Sequence, residues 1–176
     1  MDRRLQLHAL LEAHRPLDDR ERGFRARMLE LIAAPDDPFR RDRFVPGHFT
    51  ASAIVLAPEG GAMLEVHHAK LERWLQPGGH VEPSDATLEF AARREVEEET
   101  GLAELASEPG ARMPFDLDIH AIPSRGAEPE HLHFDVRFLF RARTRVCRAG
   151  DGARAVRWTD LTEARLDRVR ARIERL

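Results

Sequence analysis

The sequence predicts a layered α/β/α protein on a mixed β-sheet, preceded by a helical extension, and three observations carry that prediction. Residues 131–140 alternate so that Leu132, Phe134, Val136, Phe138 and Phe140 share one face and His131, His133, Asp135 and Arg137 the other. At 100° per residue, Leu88, Ala92, Glu95 and Glu99 project along nearly one direction, with Ala91 and Glu98 alongside, so this stretch is a one-faced helix. Before the first strand, two charged segments broken by proline read as helices. At 176 residues the chain can bury one good core but not two. The expected division is a helical extension over 1–45 and a catalytic domain over 46–176 that closes in a helix.

The elements follow in order. A first helix stops near Pro16, a second runs over 18–34, and the Pro-Asp-Asp-Pro at 35–38 breaks the chain. Residues 50–57, apolar throughout apart from Thr50 and Ser52, form the first core strand. A hairpin-like turn at 58–61 leads into a strand over 62–66. After the one-faced helix come strands near 115–122 and 131–142, a short strand at 155–158 and closing helices.

The most informative stretch is 77–102, PGGHVEPSDATLEFAARREVEEETGL, in which a glycine pair precedes a helix ending in packed carboxylates. Glu95, Glu98 and Glu99 continue an apolar stripe, and carboxylates turned toward the protein body need a counter-charge or a proton. A divalent cation resolves this. Acids at i, i+3 and i+4 lie within one turn and suit Mg²⁺, or Mn²⁺, which take a few such oxygens and keep positions for water and phosphate. The bland alternative is a solvated charge run.

The flanking residues decide between the two. The stretch resembles the signature of the Nudix (MutT-like) hydrolases, Gly-x5-Glu-x7-Arg-Glu-U-x-Glu-Glu-x-Gly-U with U a bulky aliphatic. Arg94, Glu95, Val96, Glu98, Glu99, Gly101 and Leu102 fill its second half without a gap. The first half departs from it: five residues after Gly79 comes Asp85 in place of Glu, and eight residues rather than seven precede Arg94. Asp85 either supplies that carboxylate through a longer turn or caps the helix, and we expect it to do both.

The resemblance implies a Nudix sandwich and hydrolysis of a nucleoside diphosphate linked to another moiety, by water attack on phosphorus with Mg²⁺ or Mn²⁺. By matching position it implies Glu95, Glu98 and Glu99 as metal ligands, a backbone carbonyl near Gly79 as a further one, and Arg94 as the group that orients Glu95. The general base is Glu95 or Glu98, or else a loop acid, for which Glu128 and Glu130 in 124–130 are candidates.

Other residues could contact substrate. Arg73 could clamp a phosphate and Trp74 could stack on a base, or Trp74 packs under the turn. Asp116, Asp118 and His120 fall on one side of their strand, and pairing with the 131–140 strand would join them to His133 and Asp135. That patch is a covered polar face, a substrate wall or a transition-metal site, since imidazoles at i and i+2 can share a ligand. His67, His68 and His80 show no recognisable ligand spacing.

Charge is uneven: residues 46–136 carry 17 acids against 6 bases, whereas 137–176 carry 12 Arg against 5 acids. An acidic centre suits cations and argues against nucleic acid, while the basic tail could attract a polyphosphate or a partner, or be a solvated helix. The single Cys147 excludes an internal disulfide and cysteine-based zinc, and favours a reducing cytoplasm. Nothing in the sequence resembles a signal peptide or a membrane span. The partner implied is a small nucleotide derivative, and the extension could cap the cleft or form a homodimer contact. Two alternatives remain: a sensing module of the same fold that no longer turns over, and an isomerase like the isopentenyl diphosphate isomerases. Those isomerases use a Cys and a Glu at the reacting carbon, whereas here the one Cys lies near the C-terminus and Tyr is absent.

Overall fold

A computed structural model describes residues 2–107, 113–164 and 166–175. The order is α1 (Arg3–Ala13), α2 (Asp19–Ala33), β1 (Gly47–Leu56), β2 (Ala62–His68), β3 (Arg73–Leu75), β4 (Gly78–His80), α3 (Leu88–Thr100), β5 (Leu105–Ser107), β6 (Asp116–Ile122), β7 (His131–Ala142), β8 (Ala153–Asp160) and α4 (Asp167–Ile173). All eight strands join one mixed sheet. At its centre β1 and β7 run parallel over ten residue pairs, from Gly47 opposite Leu132 to Leu56 opposite Arg141. β6 pairs antiparallel with β7, and β4 lies antiparallel against β1, setting His80 opposite Thr50.

The expected strands and the one-faced helix are present, and β1 begins three residues earlier than the apolar run. β3, β4 and β5, three residues each, were not expected, because segments so short carry no readable period. The closing helix α4 has seven residues.

Strand alternation divides the sheet into two faces. Phe49, Ala51, Ala53 and Val55 of β1 join Phe134, Val136 and Phe138 of β7 in the main core, together with Leu88, Ala91, Ala92 and Val96 of α3. The same core takes in Leu7, Leu11, Met28, Leu31, Ile32 and Phe39, so α1, α2 and the segment after them are built into the body of the protein. On the opposite face Ile54, Leu56, Met63, Phe115 and Leu139 close on Ala164 and on Val169 of α4. Farther along that face the inward residues turn polar: His48, Thr50 and Ser52 of β1, beside His133, Asp135 and Arg137 of β7.

One buried acid ties the extension to the sheet. Glu21 of α2 accepts from His14 Nε2 at 2.8 Å, from the Leu17 and Leu117 amides at 2.5 and 3.1 Å, and from Arg172 of α4 at 2.5 Å. Burial alone would raise its pKa. The hydrogen bonds from His14 and Leu17, with the charges of His14 and Arg172, outweigh burial and hold it below the usual carboxylate range. No described helix is long and apolar enough to cross a membrane.

Candidate active site

α3 begins at Thr87, whose hydroxyl accepts from the Phe90 amide at 3.0 Å. Thr87, not Asp85, is therefore the cap. Asp85 instead closes the preceding turn by accepting from the Glu82 amide at 2.7 Å, and its side chain is wholly buried. Its two oxygens take Arg94 Nε and Nη2 at 3.1 and 3.0 Å, so the acid expected as an additional ligand is committed to the box arginine.

Arg94 then spreads across the site. Its Nη1 reaches Glu95 at 2.9 Å and Glu98 at 2.8 Å, and its Nη2 also donates to the His80 carbonyl at 2.9 Å. Desolvation disfavours its charge, but Asp85 and Glu95 more than compensate and raise its pKa. One guanidinium thus fixes the helix, the β4 backbone and three carboxylates.

The glycine pair brings the backbone to the acids. A Cβ on Gly79 would meet the Glu95 carboxylate oxygens at 2.6 and 2.8 Å, so only glycine leaves Glu95 its place. The Gly78 amide donates to Glu99 at 3.1 Å. Glu98, with 46 % of its side chain exposed, is the most open of the three acids, whereas Glu95 is at 15 %.

These carboxylates occupy the C-terminal end of the helix, where the backbone dipole already places partial negative charge and the last turn holds no basic residue. Burial, followed by the charges of Glu95 and Glu98, pushes Glu99 up to about 7 despite the Gly78 hydrogen bond. Burial also raises Glu95 against the pull of Arg94. A hard divalent cation fits this all-oxygen donor set and supplies the charge it lacks. The last turn is held from outside as well: the amides of Arg148, Gly150 and Asp151 donate to the carbonyls of Thr100, Glu99 and Glu98 at 3.0, 2.9 and 3.0 Å.

On the other face, the expected pairing of the His and Asp strands occurs, with Asp118 opposite Asp135 and His120 opposite His133. Arg137, which the alternation pattern assigned only to a polar face, is the buried hub. It binds Asp116 at 2.8 Å, Asp118 at 2.9 Å and Asp135 at 3.1 Å. Asp135 also accepts from Ser52 at 2.8 Å and Thr50 at 3.2 Å, which occupies it inside the protein. Asp118 is desolvated, yet the His120 hydrogen bond and Arg137 drive it well below the usual carboxylate range. Burial, reinforced by neighbouring imidazoles, lowers His133 to about 2 and His80 to about 4.

Beside His80 opens a pocket of roughly 770 Å³, walled by Arg3, Arg40, Arg41 and Phe44 from the extension and by Glu128 from the loop. Glu128 thus borders this pocket, with Arg41 3.7 Å from its carboxylate, while Glu130 is exposed two residues on. Arg73 and Trp74 are not brought into this group: Arg73 is exposed on β3, and Trp74 packs against His67 and beneath Arg157. Cys147 packs on the main core. Sequence reasoning missed His48 and the pocket arginines. None of them sits in a local pattern, since strand pairing and the return of the extension bring them in.

Residues 46–176 match the family model described as NUDIX domain. Among solved structures, a NUDIX-family hydrolase from Clostridium perfringens superposes with a TM-score of 0.50 at 21% identity, over 72% of this chain and 96% of that one. The NUDIX domain of Shewanella oneidensis NrtR, complexed with ADP ribose, gives 0.50 at 18% identity over 84% and 97%. A C. elegans Ap4A hydrolase binary complex gives 0.50 at 14% over 72% and 95%. No curated protein matches. At these identities the superpositions speak to the fold.

Proposed function

The chain belongs to the Nudix family of hydrolases, and on that premise we propose that it cleaves a nucleoside diphosphate linked to another moiety, using Mg²⁺ or Mn²⁺ and water. The observation that carries this reading is the gathering of Glu95, Glu98 and Glu99 around Arg94 and the Gly78–Gly79 backbone at the negative end of α3. Glu95, Glu98 and Glu99 would hold the cation, with the backbone near Gly79 beside them. When bound, the cation neutralises the diphosphate and polarises its phosphorus.

The remaining work falls to the chain. Arg94 fixes Glu95 and Glu98 so that neither reorganises during the reaction. Glu98, the most open of the acids, takes the proton of the attacking water; the new oxygen–phosphorus bond forms as the anhydride bond breaks and the phosphate leaves with its electron pair. Arg40, Arg41 and Phe44 face the pocket as phosphate- and base-binding groups for a small nucleotide derivative. Nucleotide sugars, ADP-ribose, dinucleoside polyphosphates and nucleoside triphosphates are the substrates to compare. The reducing cytoplasm suits the unpaired Cys147.

A chromatographic screen for the phosphate-ester cleavage products of these compounds, with Mg²⁺ and separately Mn²⁺, tests the reading. Glu98→Gln should lower turnover on the best substrate by several orders of magnitude with the fold intact. Silence across the panel with metal binding intact would replace hydrolysis by nucleotide sensing.

A further inference from the structure

Three imidazoles from three strands meet on the polar face: His48 of β1, His80 of β4 and His133 of β7. They offer one ring nitrogen each, all within 4.8 Å of one another. Their ring centroids lie 5.1, 4.9 and 5.3 Å apart. His48 and His133 are direct partners in the parallel β1–β7 ladder, and β4 lays His80 across β1 two residues from His48.

Two of these rings carry an unmet need. His48 is fully buried, and its Nδ1 lies 3.0 Å from the Arg43 carbonyl. A carbonyl only accepts, so Nδ1 holds the proton and Nε2 presents a bare lone pair. That Nε2 is buried without a partner, as is Nε2 of His133. Leaving buried polar atoms unpaired is costly and uncommon, and two in one cluster call for a shared partner, which a cation supplies when His133 carries its proton on Nδ1. A backbone carbonyl that sets the tautomer and aims the opposite nitrogen is also the arrangement that supports a metal-bound histidine.

We propose that His48, His80 and His133 form a second metal site, distinct from the carboxylates of α3, that takes a borderline divalent transition ion such as Zn²⁺. Nitrogen ligands without carboxylate or thiolate select such ions over Mg²⁺. At metal–nitrogen distances of about 2.0 Å the three nitrogens would sit about 3.3 Å apart, so the rings close by up to about 1.5 Å on binding. His80 also lines the pocket beside it, and a water or an oxyanion of a bound phosphate compound would complete the tetrahedron. The site stands independently of whether the carboxylates turn over a diphosphate.

Cobalt spectroscopy tests this on the full-length protein. After removal of metals by chelation, Co²⁺ is added in the presence of excess Mg²⁺, which keeps the carboxylates occupied. One equivalent should bind with the intense visible bands of a four-coordinate nitrogen site, and Zn²⁺ should displace it. Glu98→Gln should keep this spectrum, whereas His80→Ala and His133→Gln should weaken Co²⁺ binding by at least about a hundredfold. The wild-type titration decides the matter even if a His variant fails to fold. Weak, pale octahedral cobalt, displacement by Mg²⁺, or loss of the signal in Glu98→Gln would each overturn the proposal.

Discussion

Asp85 and Arg94 form a two-pronged ion pair, Oδ1 to Nε at 3.1 Å and Oδ2 to Nη2 at 3.0 Å, beneath the carboxylates that Arg94 orients. The irregular spacing of the first half of the box therefore ends at the arginine. Asp85→Asn turns an acceptor into a donor facing another donor. It should cost about 2 kcal/mol of stability, read by urea unfolding, and lower turnover about tenfold to a hundredfold. A loss as large as that of Glu98→Gln would place Asp85 on the metal itself.

Gly79 and Gly78 should fail in different ways. Gly79→Ala pushes on the mobile end of Glu95, so the fold should survive while turnover falls roughly a hundredfold through misplaced ligands. Gly78→Ala presses on Ser52 Cα at 2.6 Å and the Ala51 carbonyl at 2.8 Å, which are backbone, so it should lower the melting temperature. Melting curves alongside kinetics separate the two.

Glu99 makes stability depend on pH and metal together. Its pKa is raised to about 7 in the folded chain by burial and neighbouring acids, so between about 4.5 and 7 the native state holds a proton that the unfolded chain has lost. Unfolding free energy should therefore fall as pH rises through that window in EDTA, by at most about 3 kcal/mol. Mg²⁺ or Mn²⁺, which favours the ionised form, should flatten the decline. Melting temperatures at pH 5 and pH 8, with chelator and with metal, measure this, and identical slopes would sever Glu99 from the cation.

Removing residues 1–45 should not release a smaller working enzyme. The deletion strips Leu7, Leu11, Met28, Leu31, Ile32 and Phe39 from the main core and leaves the Leu117 amide without Glu21. Insoluble or molten protein is the expected result, by near-ultraviolet circular dichroism. Glu21→Gln gives a milder test. Because the folded pKa of Glu21 is lowered, its contribution is complete above the ordinary carboxylate range and disappears as pH falls through the lowered value. The variant should therefore lose less stability on acidification than the parent.

What could be read from the sequence was what repeats locally. The helix period carried Glu95, Glu98 and Glu99 onto one side, and the strand period separated Phe134 and Val136 from His133 and Asp135. Beyond the pairing of β6 with β7, long-range pairing was invisible. His48 becomes a neighbour of His133 only because β1 and β7 run parallel in one register, and His80 joins them only through a three-residue strand with no period. Arg137 could not be foreseen as a buried hub because its three acids come from two strands. Trp74 shows the reverse: an aromatic near the box in sequence turns to pack on Arg157 and His67.

The loop around Gly150 has a consequence for engineering. Surface connections usually accept insertions, fusion partners or affinity tags, and 143–152 would look like such a place in the sequence. Here its amides hold the last carbonyls of α3, and a Cβ on Gly150 would overlap the Glu98 carbonyl at 1.9 Å. An inserted residue would shift the register of this clamp and tilt the acid-bearing turn. The hairpin tip at Gly60 and Gly61 is open, and it is the safer graft point where both glycines, at φ +80° and +73°, and the bond from the Leu161 amide to the Gly61 carbonyl are kept.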